Sequence, residues 1–173
     1  MADGRSHERV NLVALGGLAA TWYMLQLQGR PFLPESLAPL PARLAFLVSY
    51  LVGTFLITPD LDLANRSVRA KKHWGLLGIL WVPYGAVFRH RGLSHSWLLG
   101  PLTRLIYLLM LLLALAELFQ VAAGWLGYRL EVRAALDGQW GWLLAGSAVG
   151  YYLSQWLHLL VDSLPRRRRR RVR

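Results

Sequence analysis

Four short clusters of metal-binding side chains stand along this sequence: His7, the pair Asp60 and Asp62, His90 with His95, and His158 with Asp162. The strings TPDLD, RHRGLSHS and WLHLLVDS lie at the ends of long apolar stretches, where a carboxylate or imidazole is costly unless it has a partner. The chain has no Cys, so any metal must be held by imidazole and carboxylate. That donor set suits zinc, with manganese or iron as alternatives, and excludes thiolate sites and disulfides.

The spacings give each cluster a geometry. His158 and Asp162 are four apart and share one helix face, as two ligands of one ion or as a ligand and its orienting carboxylate would. The alternative pairs His158 with a backbone carbonyl and Asp162 with Arg166. Asp60 and Asp62 flank Leu61, and in extended backbone both carboxylates lie on one edge, suited to gripping one cation or bridging two. Otherwise they end a helix or pair with Arg66 and Arg69. His90 and His95, about 140° apart on a continuous helix, can cooperate only through a turn at Gly92. Ser94 reads as an N-cap that leaves His95 in the first turn of the next helix. Arg91 can grip a phosphate oxygen. His7 lies near the chain start, where histidines are often solvated, and Asn11 reads as a first-turn residue without chemistry. His73, in RAKKHWG, reads as basic and aromatic surface outside the site. Arg104 and Glu117 are 13 residues apart, too far along a helix to bond each other, and neither is given a role.

The elements that must position these residues are helices. With 55% hydrophobic residues and eight Trp in 173 residues, the composition is that of a membrane protein. The expected fold is all-α, a polytopic membrane bundle of about four transmembrane helices at Val10–Gln28, Leu44–Thr58, Trp97–Val121 and Trp140–Val161. A short re-entrant or interfacial helix is expected at 74–88, where Pro83 interrupts and Trp74, Trp81 and Tyr84 are rings favoured at headgroup depth. Gly141, Ala145, Ser147 and Gly150 would let the last helix approach a neighbour closely. Residues 1–165 form one membrane-embedded metal-binding domain and 166–173 a basic tail. The first helix shows no cleavage signal and is expected to be retained.

If all four segments span, fifteen of the twenty Lys and Arg fall on the side shared by the N-terminus, the 59–96 connection and the tail. The positive-inside rule makes that side cytoplasmic, in an integral plasma (inner) membrane protein. All seven candidate ligands map to the same side. The net charge of +11 raises a nucleic-acid reading, but seven of the basic residues lie in the last eight positions. Such a local run suits anionic lipid headgroups or a partner's acidic surface better than nucleic acid.

The order Ser-His, PDLD, HRGLSHS and HLLVD resembles a family of uncharacterised membrane-bound metal-binding proteins. It is also similar to the LexA-regulated inner-membrane family of metal-dependent hydrolases. The resemblance implies that His7, Asp60, His90, His95, His158 and Asp162 are metal ligands or close to them, with Asp62 a further candidate. The expected function is a metal-dependent hydrolase with one or two zinc ions facing the cytoplasm, acting on a phospholipid or lipid-linked phosphate. In it Arg91 holds the phosphoryl group and Asp62, or Asp60 if that one does not ligate, takes the proton from water. The alternative is a non-catalytic structural or regulatory metal-binding protein, such as a subunit or assembly factor of a larger complex. HLLVD also matches the terminal His-x3-Asp of lipid phosphatases with a histidine nucleophile, but their lysine and arginine phosphate motif is missing. No HExxH is present for zinc proteolysis.

Overall fold

The computed structural model describes residues 4–30, 33–63, 68–88, 92–128 and 138–164. Those residues form helices and turns, with no strand among them. Three long helices follow the apolar runs: α1 (Gly4–Leu27), α5 (Leu99–Trp125) and α6 (Trp140–Ser163). A fourth, α2 (Leu40–Phe55), begins beside Pro39 and Pro41. Between α2 and α5 the chain makes a 3-10 turn at Pro59–Asp62, then α3 (Arg69–His73), a second 3-10 segment at Gly75–Trp81, α4 (Val82–Val87) and a third 3-10 turn at Leu93–His95.

The centre of the fold is the α2–α6 pair. A Cβ at Gly146 would collide with the carbonyl of Ala42, and one at Gly150 with the carbonyl of Phe46, so both glycines let the two backbones touch. The expected small-residue contact is there, but its register runs through Gly146 and Gly150, and Gly141 faces open space. Further along, Gln155 donates from Nε2 to the Gly53 carbonyl at 3.0 Å. Helix α1 joins this pair by a polar contact: Asn11 donates to Thr54 Oγ1 at 3.1 Å and to the Ser154 carbonyl at 3.2 Å, while Tyr50 donates to the Asn11 carbonyl at 2.8 Å. Asn11 and His7 are the buried residues of α1, one turn apart on one stripe. Asn11 is therefore an interhelical connector, where a first-turn residue without chemistry was expected.

Of the four expected spans, the described residues supply two candidates. Helices α1 and α5 are long and apolar enough to cross a membrane. At 16 residues α2 is too short for a core of ~30 Å. Helix α6 has the length, but Gly, Ser, Tyr and Gln155 dilute its apolarity in favour of packing on α2. The segment 74–88 is not one helix but a 3-10 stretch followed by α4. Trp81 and Tyr84, each 1% exposed, turn inward to meet Trp74 and Tyr107, while Leu76, Leu77 and Ile79 point outward. Helix α5 is tied down near its start, where Tyr84 and Thr103 hydroxyls pair at 2.9 Å and Tyr151 donates to the Pro101 carbonyl at 3.2 Å. Beyond that its large apolar side chains are exposed.

Candidate metal centre

The start of α1, the turn after α2, the turn before α5 and the end of α6 meet at one end of the bundle. The i, i+4 spacing of His158 and Asp162 puts both on the face of α6 turned toward α1, where the His7 and His158 rings stack at 3.7 Å and 6° between planes. His7 Nε2 lies 3.4 Å from Asp162 Oδ1, and His158 Nε2 lies 3.7 Å from Asp162 Oδ2 and 3.7 Å from Asp60 Oδ1. Donor atoms of His7, His158 and Asp162 form one group lying within 4.8 Å of one another, and those of Asp60, His95 and Asp162 a second. Asp162 belongs to both.

Asp60 and Asp62 do not share an edge. Pro59 starts a 3-10 turn, and a turn of three residues sends side chains two apart in different directions. Asp60 faces His158, whereas Asp62 turns into the protein, where its side chain is fully buried. There Asp62 Oδ2 accepts a 2.5 Å hydrogen bond from Ser94 Oγ and stands 3.1 Å from His95 Nδ1. Ser94 is thus not the N-cap of α5, which starts five residues later; Ser96 Oγ accepts the Gly100 N–H at 2.8 Å instead. His95 lies in the 3-10 turn ahead of α5. With Nδ1 3.1 Å from Asp62, Nε2 would be the nitrogen offered to an ion, as where a carboxylate orients a metal-binding histidine. Burial alone would raise the Asp60 carboxyl, but contact with His158 and the positive fields of His158, His7 and His95 hold it below the usual carboxylate range.

These residues fit a divalent ion. Two ligands of a tetrahedral zinc with bonds of about 2.0–2.1 Å are separated by about 3.3 Å, close to the nitrogen–oxygen separations here. His158 Nε2 is sealed from solvent and makes no hydrogen bond among the described residues, its neighbours being two carboxylate oxygens beyond hydrogen-bond range. A buried nitrogen facing two carboxylates at that spacing suits a cation between them. A small cleft lined by His7, Thr58, Asp60 and His158 opens beside the cluster.

The other residues singled out fall elsewhere. His90 and Arg91, Arg166 and the rest of the basic tail lie outside the described residues. Arg69 pairs with Glu8, its Nε 2.6 and 2.7 Å from the two carboxylate oxygens, and not with Asp60 or Asp62. His73 stays outside the cluster, with Nδ1 3.0 Å from the Phe55 carbonyl. Glu117 is exposed on α5, and Arg104 is completely buried. Sequence reasoning missed Ser94 as the partner of Asp62; its place beside His95 in a turn was the available signal.

The pattern of a family described as "Uncharacterized metal-binding protein (DUF2227)" matches residues 2–172. An uncharacterized protein of Aquifex aeolicus (strain VF5) is 42% identical over 72 residues, which is 42% of this chain and half of that relative's length. No solved structure matches.

Proposed function

We propose, starting from the fact that this chain belongs to that metal-binding family, that it is a membrane-embedded, metal-dependent phosphoester hydrolase. His7, Asp60, His95, His158 and Asp162 would hold one or two divalent ions, with zinc the first candidate. The observation that carries this is the pair of overlapping donor groups joined at Asp162. Five donor residues exceed the four of a closed tetrahedral structural zinc, and Asp162, common to both groups, would serve either ion. A bound ion would supply Lewis acidity, making water nucleophilic near neutral pH and neutralising charge on a phosphoryl oxygen.

The chain's own residues supply the rest. Asp60 lines the cleft and is only partly buried, so with its carboxylate off the ion it would be placed to accept the proton of an attacking water. Water oxygen bonds to phosphorus, the ester P–O bond breaks, and the proton passes to the leaving oxygen. Asp62, enclosed by Ser94 and His95, orients the imidazole and takes no proton from solvent. The membrane part of the reading is supported by α5, whose 27 residues extend about 40 Å against a hydrocarbon core of ~30 Å. Its apolar surface runs all round, which suits lipid contact. A site at one end of such a helix favours a lipid phosphate as substrate.

Detergent-purified protein loaded with zinc or manganese is tested on phosphatidic acid, lipid-linked phosphates and a chromogenic phosphoester. Turnover is expected that disappears in Asp162→Ala and on chelation. Stoichiometric metal with no turnover across the panel would overturn the enzymatic reading. The structural alternative is favoured by one observation, that the donors come from four separate elements, as in a staple. For a staple, chelation unfolds the protein and no substrate is turned over.

A further inference from the structure

Arg104 is 0% exposed, and its three buried guanidinium nitrogens meet no carboxylate within ion-pair distance among the described residues. A guanidinium cannot shed its proton, so burial leaves a full positive charge needing an anion. The described acids are engaged elsewhere or distant: Glu8 with Arg69, Glu35 with Arg43, Asp60 and Asp162 with the histidines, Asp62 with Ser94 and His95, and Glu117 out on the surface of α5. None of them forms an ion pair with Arg104. Of its aromatic neighbours, Tyr84 and Tyr151, the Tyr151 hydroxyl is in hydrogen-bonding contact with the guanidinium, and both hydroxyls are neutral. Such hydroxyls can solvate a guanidinium without balancing its charge.

The position of this charge relates it to the metal centre. A Cβ at Gly100 would collide with the Ser94 carbonyl and lie 3.3 Å from Arg104 Nη2, so Arg104 and Ser94 are separated by little more than that one methyl-sized position. Ser94 is bonded to Asp62, and Asp62 faces His95. The guanidinium therefore sits one residue behind the wall that carries a candidate ligand.

From this we infer that Arg104 is the anion-holding residue of a phosphoryl site that abuts the metal centre on its Ser94 side. The inference rests on the hydrolytic reading above and names the group that would recognise the substrate's charge. One phosphoryl oxygen takes the planar fork of Arg104, while the metal-ligand cluster faces the others. The ligand chemistry is a phosphate, from a lipid headgroup or free in solution.

The test is equilibrium binding of inorganic phosphate, and separately of short-chain phosphatidic acid in the same detergent, to metal-loaded protein. Wild type, Arg104→Met and Arg104→Lys are compared, with metal content and melting temperature measured alongside. Saturable binding that falls tenfold or more in Arg104→Met at unchanged metal content is the expected result, with Arg104→Lys intermediate. Should Arg104→Met not fold, Arg104→Lys must still weaken binding at least threefold, since a point charge replaces the fork. Binding of phosphatidic acid alone identifies the lipid headgroup as the source, and binding of both identifies the bare phosphate; either supports the inference when Arg104 controls it. Equal affinity in the variants, or no binding of either probe, overturns it. Arg104-dependent binding with no turnover would defeat the hydrolase reading and leave this one standing.

Discussion

A buried imidazole nitrogen must meet a donor, an acceptor or a cation, and at His158 Nε2 the neighbours are two carboxylates held too far away for hydrogen bonds. Removing either His158 or the shared Asp162 should therefore abolish stoichiometric metal binding, measured by elemental analysis of purified His158→Ala and Asp162→Ala. Asp62→Asn should act differently. It leaves the ligands in place but weakens the grip on His95, and a loss of about 10–100-fold in metal affinity is expected without loss of stoichiometry. Equal loss in Asp62→Asn and Asp162→Ala by competition with a chelating dye would make Asp62 a ligand. The clusters themselves were legible because each is out of place in apolar sequence. What could not be read were partners that depend on tertiary neighbours: Asn11 against Thr54 and Ser154, Ser94 against Asp62, Arg69 against Glu8. The DxD spacing was also misleading, because a 3-10 turn at Pro59 sends its two carboxylates apart.

At the scale of elements, the α2–α6 contact sets the distance between the turn bearing Asp60 and the helix bearing His158. That contact depends on Gly150 meeting the Phe46 carbonyl, where backbone atoms have no rotamer by which to yield. Gly150→Val is expected to destabilise the fold by about 1–3 kcal/mol or more through overpacking and to weaken metal binding with it. Gly141→Val on the same helix meets nothing within 4 Å and serves as the control. Melting temperatures of the two variants check this, and equal shifts would refute the packing argument. Helix existence was plain from runs of apolar residues, but 74–88, expected as one re-entrant or interfacial helix, is a 3-10 stretch followed by α4 with Trp81 and Tyr84 turned inward. The number of spans was not plain either, because apolar length alone does not separate a helix that faces lipid from one that spends its small residues on a neighbour. Helix α6 spends its small residues on α2, whereas α5 leaves its large apolar side chains exposed.

For the molecule as a whole, the site joins the two ends of the described chain: His7 comes from the first helix and Asp162 from the last. Helix α1 has only His7 and Asn11 buried, so its attachment to α2 and α6 rests on polar groups more than on apolar packing. An ion that binds the folded arrangement alone adds RT ln(1 + [L]/Kd), about 4 kcal/mol at a thousandfold excess over Kd. That stabilisation should be concentrated on α1, because α2 and α6 keep their glycine contacts without any metal. The chain contains no Cys, so Arg5→Cys and Leu164→Cys, both at exposed positions, can carry spin labels uniquely. The distance between the labels is expected to be narrow with metal bound and to broaden and lengthen on chelation. A pair spanning α2 and α6, placed at exposed Val48 and Val149, should stay unchanged. If the first pair were as narrow without metal as with it, α1 would be held by Asn11 and its contacts alone, and the ion would contribute chemistry without cohesion. Broadening in both pairs would mean that the metal organises the whole bundle, the behaviour of a structural staple, and would move the balance of evidence away from hydrolysis.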